Sequence, residues 1–107
     1  MIYDKLVRDR IPEIIAASGK TCRCRVLQEN EYMERLDAKL NEELAEYQES
    51  KSIEELADLL EVMQAVAAAR GYTPDRLEAI RAKKAEERGG FRDRILLMEV
   101  QTTDRGD

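Results

Sequence analysis

Apolar and polar positions repeat with helical spacing over two long central segments. We expect Asn30 to cap a first helix that runs to about Gln48, because apolar residues recur there every three or four positions. The second segment opens with a capping-box sequence at Ser52 and runs to about Arg70, just before Gly71. The apolar stripe of the first segment consists of Met33, Leu36, Leu40, Leu44 and Tyr47. The pattern predicts two long amphipathic helices joined by a short break.

Shorter elements flank this pair. Residues 11–19 carry proline in the opening turn and end at glycine, which predicts a short first helix. Thr73 and the proline after it start a fourth helix that ends at Gly89-Gly90. Residues 20–27 alternate as a half-exposed strand would, and residues 91–100 are apolar enough to be extended. We therefore predict a mainly α fold, a bundle of about four helices, with a short N-terminal strand that pairs with the C-terminal extended segment.

Length and charge narrow the class of protein. The chain has 107 residues and a formal net charge of −5, which predicts one domain over residues 1–107, with a frayed tail at 101–107. A chain of this length forms a small core, which buries long apolar helices incompletely. We therefore expect a homodimer or homotetramer. The acidic balance argues against nucleic-acid binding. No apolar run approaches a membrane span and the start lacks a signal-peptide core, so we expect a cytoplasmic protein without membrane contact.

Two cysteines and the absence of histidine limit the chemistry. Cys22 and Cys24 offer two thiols in a chain without histidine, whereas a structural zinc site needs four ligands. We interpret them as neighbours on one face of a strand. The sequence also lacks a phosphate-binding glycine loop, a dinucleotide fingerprint and a Ser-His or Cys-His pair. Hydrolysis by metal-activated water is then the most economical chemistry.

The central helices carry a dense set of carboxylates. Between Glu42 and Glu61 there are eight acidic residues, and Lys51 is the one basic residue that opposes them. Like charges three or four residues apart destabilise a helix. Either these acids form a solvated face, or oxygen ligands hold a hard cation.

Helical-wheel positions separate the acids into inner and outer residues. At about 100° per residue, Glu43 falls beside the apolar stripe of its helix and Glu46 lies roughly 60° further round. Glu55 falls inside the apolar arc of the next helix, and Asp58 borders it. These four residues offer oxygen ligands, which suit Mg²⁺ or Mn²⁺. Spacing alone leaves two interpretations open, a metal cage and a pair of surface-acidic helix faces.

Basic residues form two further candidate sites. On the fourth helix, Arg81, Lys84 and Arg88 continue the apolar stripe and could clamp phosphate groups. They could equally favour the negative end of the helix dipole. Ahead of the first helix, Arg8 belongs to a basic cluster with Lys5 and Arg10. This cluster could bind phosphate or pair with nearby aspartates, Asp4 and Asp9.

These residues resemble a known signature. The sequence Glu42-Glu43-x-x-Glu46 followed by Glu55-x-x-Asp58 resembles the metal-binding motif of the all-α nucleoside triphosphate pyrophosphohydrolases, the MazG-like superfamily. Three blocks resemble its phosphoribosyl-ATP pyrophosphohydrolase-like branch: residues 5–12 (KLVRDRIP), 55–62 (ELADLLEV) and 87–91 (ERGGF). The likeness covers nearly the whole chain. One departure is the short spacing between Glu46 and Glu55, which an early start of the second helix at Ser52 would absorb.

The resemblance implies a helical bundle completed by oligomerisation. It also implies Mg²⁺ held by four catalytic carboxylates, Glu43, Glu46, Glu55 and Asp58. The reaction would be hydrolysis of a nucleotide between its α- and β-phosphates, with release of pyrophosphate and a nucleoside monophosphate. Such hydrolases remove aberrant or surplus nucleotides, and Lys84 and Arg88 would clamp the phosphates. The alternative is a non-catalytic nucleotide- or metal-binding module, or a structural helical oligomer.

Overall fold

A computed structural model describes residues 3–102 and confirms a mainly α fold. Within this range the chain forms four helices: α1 (Ile11–Ala17), α2 (Glu29–Ser50), α3 (Ile53–Ala69) and α4 (Pro74–Arg88). The helices α2 and α3 pack against each other as a hairpin, and α4 contacts α3. Each helix in the described range is too short or too polar to span a lipid bilayer.

A tight turn joins α2 to α3 and brings their acidic segments together. Lys51 adopts a left-handed conformation (φ 58°) and donates its backbone N–H to the Tyr47 carbonyl at 2.7 Å. The hydroxyl of Ser52 accepts a hydrogen bond from the Glu55 backbone N–H at 3.3 Å, as the predicted cap requires. The chain thus reverses within two residues, which places the last turns of α2 beside the first turns of α3.

Most predicted helix ends agree with the structure. The Thr73 hydroxyl caps α4 by accepting from the Arg76 N–H at 3.0 Å, and Gly89 follows the helix with φ 84°. The start of α2 differs from the prediction. Gln28 occupies the cap position without a side-chain hydrogen bond, and Asn30 lies inside the helix. The helix α2 therefore begins two residues earlier than the predicted cap implies.

The predicted N-terminal strand is wrong, and so is its pairing with the C-terminal segment. Residues 20–27 contain no β-strand, residues 91–100 lie outside helix and strand, and no strand occurs anywhere in residues 3–102. A strand needs a hydrogen-bonded neighbour, and neither segment finds one in the other. Val26 is 97% exposed and Phe91 is 98% exposed. Of the predicted frayed tail, residues 103–107 lie outside the described part of the chain.

The N-terminal segment lies along the hairpin before α1 begins. Arg35 of α2 donates a hydrogen bond to the Asp4 carbonyl oxygen at 2.8 Å. The Lys5 ammonium lies 3.2 Å from a Glu42 carboxylate oxygen. These contacts hold residues 4–8 against the acidic part of the hairpin and position Arg8 beside α3.

Candidate metal centre

Three carboxylates from two helices meet inside the hairpin. Glu43 of α2 and the pair Glu55 and Asp58 of α3 each contribute an oxygen, and these oxygens lie within 4.8 Å of one another. On α3 the spacing of three residues puts both acids on one face of the helix. The turn at Lys51 then places that face opposite Glu43. We name Glu43, Glu55 and Asp58 the hairpin triad.

A second group of acids shares one member with the triad. Oxygens of Glu42, Glu43 and Glu46 also lie within 4.8 Å of one another on α2. The four predicted ligands therefore do not form one set. Three of them meet in the hairpin triad. Glu46 is exposed and lies beside Glu43 in the second group. Glu42 is half-buried and belongs to this second group.

Two triad oxygens are buried without a partner. Glu43 is 6% exposed, as its wheel position predicted. Oε2 of Glu43 and Oε2 of Glu55 are both fully buried and accept no hydrogen bond. Leaving a buried polar group unpaired costs about 1–3 kcal/mol, and more when the group is charged. A cation between α2 and α3 would satisfy both oxygens.

Burial changes the acidity of the central carboxyl. Loss of solvation raises the pKa of Glu43 above its ordinary value. The Lys39 ammonium lowers this pKa in opposition, and the nearby Glu46 carboxylate raises it again. The net shift of the Glu43 pKa is upward, so the Lys39 ammonium offsets the loss of solvation only in part. The centre holds more negative charge than the protein groups around it neutralise.

Three basic side chains, Lys5, Lys39 and Arg8, surround the carboxylates. The Lys39 ammonium lies 3.2 Å from Glu43 Oε1 and 3.6 Å from Glu42 Oε1. The Arg8 guanidinium lies 2.6 Å from Asp58 Oδ1. The sequence left two roles open for Arg8, which were to bind phosphate or to pair with Asp4 and Asp9. In the structure Arg8 pairs with neither of these aspartates, and its partner is Asp58 of the triad. Arg8 is more than half exposed and therefore also reaches solvent above the centre.

The donor set fits a hard divalent cation. Oxygens on opposite sides of one ion lie about 4.2 Å apart for Mg²⁺ and about 4.8 Å apart for Ca²⁺, from their usual bond lengths. The oxygens of the hairpin triad lie within 4.8 Å of one another, which is within the span of the larger ion. All donors are oxygens, the chemistry that Mg²⁺, Mn²⁺ and Ca²⁺ share. The geometry admits a metal without selecting Mg²⁺.

The predicted phosphate ligands of α4 do not join the centre within one chain. Lys84 and Arg88 are exposed and line a shallow basic groove with Arg76 and Lys83. Arg81 pairs with Glu78 of its own helix at 2.5 Å. In the part of the chain that the structure describes, no ion pair links α4 to the acids of the hairpin.

Sequence reasoning did not assign Lys5, Lys39 or Glu42 to the centre. Lys39 precedes Glu43 by four residues, a spacing at which helical side chains meet. The sequence therefore contained enough information to predict this contact. Lys5 reaches Glu42 across 37 positions of sequence. No local pattern predicts a contact of that range.

Comparisons with known proteins leave the family open. No family model matches the chain, and no solved structure matches it either. A protein of Mycolicibacterium smegmatis (strain ATCC 700084 / mc(2)155), described as uncharacterized, is 62% identical over 42 residues. The match covers 39% of this chain and 43% of the relative, so it spans less than half of that protein. These comparisons therefore assign no function to the chain.

Proposed function

We propose that this protein is a Mg²⁺-dependent nucleotide pyrophosphohydrolase that removes aberrant or surplus nucleotides. One observation supports the metal more than any other. Glu43 and Glu55 each bury a carboxylate oxygen without a partner, and both residues belong to a triad of oxygen donors. A bound divalent cation would relieve the unpaired charge, and the resemblance of the acidic motif to MazG-like hydrolases supplies the reaction.

In this proposal the acidic residues are the metal ligands. Glu43, Glu55 and Asp58 would hold the cation, and Glu46 would add a ligand from the exposed side of α2. A bound Mg²⁺ would polarise phosphate oxygens and lower the pKa of a water molecule. The buried carboxylates would balance the charge of the cation. Hydrolysis would add water at the α-phosphate and break its bond to the oxygen that bridges to the β-phosphate, which gives a nucleoside monophosphate and pyrophosphate.

Basic residues would bind the phosphate groups. Arg8 is the best placed of the predicted phosphate ligands, because its guanidinium already lies at the edge of the triad. A guanidinium binds phosphate through paired hydrogen bonds. Arg81, Lys84 and Arg88 remain candidates on α4. The proposal also includes a cytoplasmic homodimer or homotetramer.

Pyrophosphate release tests the proposal directly. A panel of common and modified nucleoside triphosphates is incubated with Mg²⁺ or with chelator. The wild type is compared with Glu55→Gln, which keeps the side-chain shape and removes the charge. Glu61→Gln is the matched control, because Glu61 lies exposed on the same helix. We expect Mg²⁺-dependent release by the wild type and the control, and none by Glu55→Gln.

The ion pairs of the centre favour one second candidate. Lys39 and Arg8 already neutralise part of the triad without a metal. The hairpin could therefore be a nucleotide-binding module that does not catalyse. That alternative predicts nucleotide-dependent thermal stabilisation with no pyrophosphate release from any member of the panel.

A further inference from the structure

The single chain exposes far more surface than a folded monomer of its mass. Its accessible surface is 10,093 Å², whereas a compact 12.3 kDa protein exposes about 6,100 Å². Its radius of gyration is 20.0 Å, against about 13 Å for a compact domain of this length. Among the described residues, Leu36 and Val62 are the buried hydrophobic side chains. Each chain therefore exposes about 4,000 Å² more than a compact monomer of its mass.

Much of this surface belongs to residues 91–100, which we name the C-terminal arm. The arm begins with a turn, in which the Arg94 N–H donates to the Phe91 carbonyl, and continues without helix or strand. Ile95 is 83% exposed, Leu96 is 80% exposed and Met98 is 85% exposed. An apolar segment of this kind is stable in water only when another surface covers it.

A second exposed apolar surface lies on the α2–α3 hairpin, and we name it the hairpin face. Leu56, Leu60 and Met63 recur on one side of α3, and Leu44 joins them from α2. Each of these side chains is 40–49% exposed. The arm does not cover them within its own chain, because all four remain open to solvent.

We propose that the C-terminal arm of one copy of this chain packs on the hairpin face of a second copy. Permanent homodimers bury about 2,000–5,000 Å² in total. The excess surface of two chains therefore suffices for an exchange of both arms. The partner is a second copy because the chain carries both the apolar segment and an apolar surface to receive it. This inference does not depend on the proposed enzymatic activity.

Site-specific photo-crosslinking tests where the arm lies. Leu96 of the full chain is replaced by a photoreactive phenylalanine analogue. Chains with ¹⁴N and ¹⁵N are unfolded together, refolded and irradiated, and the crosslinked peptides are identified by mass spectrometry. We expect products that join position 96 of one isotope to α2 or α3 of the other. Products within one isotope alone, crosslinks to other elements, or a monomeric protein would overturn the proposal.

Matched substitutions measure the energetic contribution of each surface. Leu96→Asp in the arm and Leu60→Asp on the hairpin face should each raise the dissociation constant of the oligomer at least about tenfold, as loss of a buried interface anchor does. Glu99→Gln, in the same arm, should change it less than about twofold. Circular dichroism at high concentration checks that each variant keeps its helices. Weakening by Leu96→Asp alone would place the arm elsewhere and contradict the proposal.

Discussion

Glu43 and Glu55 face each other across the α2–α3 hairpin, and each leaves its Oε2 atom buried without a hydrogen-bond partner. Two carboxylates in such proximity repel each other unless one is protonated or a cation lies between them. The Lys39 ammonium contacts the other oxygen of Glu43, so it offsets part of this repulsion. The remaining repulsion explains why we expect the centre to bind a divalent ion.

The raised pKa of Glu43 predicts a pH dependence of folding without metal. Because the folded state holds this proton more tightly than the unfolded state, its contribution to stability is complete below the ordinary pKa of 4.5. The contribution is lost as the pH rises through the raised pKa of Glu43. The Glu43→Gln variant lacks this loss. In chelator, its unfolding free energy relative to wild type should therefore increase between about pH 4 and pH 7.

Urea unfolding at several pH values measures this difference. Glu61→Gln provides the control, because Glu61 lies exposed on the polar side of α3. Its difference from wild type should stay nearly constant over the same range. A pH-independent difference for Glu43→Gln would show that the buried carboxyl titrates normally.

Arg8 is expected to affect substrate binding more than folding. Its pair with Asp58 is exposed, so Arg8→Ala should cost less than about 1 kcal/mol of stability. Loss of a charged hydrogen bond to phosphate, about 1.5–3 kcal/mol, should lower kcat/KM by about tenfold to a hundredfold. Arg10→Ala is the matched control, because Arg10 pairs with Glu13 outside the centre. Equal kcat/KM values for both variants would remove Arg8 from the site.

The cap of α3 supports the geometry of the triad. Ser52 accepts a hydrogen bond from the Glu55 backbone N–H, so Ser52→Ala should lower the unfolding free energy by about 1 kcal/mol. Ser18→Ala is the control, because the Ser18 hydroxyl, just after α1, donates to the Ile15 carbonyl of α1, away from the hairpin. Thermal denaturation compares the two variants. A smaller loss for Ser52→Ala than for Ser18→Ala would contradict the role of the cap.

Local sequence signals predicted the helices and the burial of Glu43 well. Capping side chains at Ser52 and Thr73 act through bonds to residues three positions away, so the sequence carries that information directly. The wheel position of Glu43 depends on the helix that contains it and on its apolar neighbours. These features are properties of one element, and periodicity is sufficient to predict them.

Features that depend on distant parts of the chain were not predictable in the same way. The contact of Arg8 with Asp58 spans 50 positions, and no spacing rule encodes it. The strand expected at residues 20–27, and its pairing with residues 91–100, fail for a related reason. The alternation of the first segment and the apolar content of the second indicate that each needs a partner, and within residues 3–102 neither pairs with the other. Sequence patterns therefore indicated the need for burial in these segments without identifying what provides it.

Direct metal binding tests the central claim of this account. Mn²⁺ is titrated into the metal-free protein, and free ion is measured by electron paramagnetic resonance for wild type, Glu55→Gln and Glu61→Gln. We predict saturable binding by the wild type, competition by Mg²⁺, unchanged binding by Glu61→Gln and at least about tenfold weaker binding by Glu55→Gln. Equal affinity of wild type and Glu55→Gln, or no binding by the wild type, would contradict a metal centre in the hairpin.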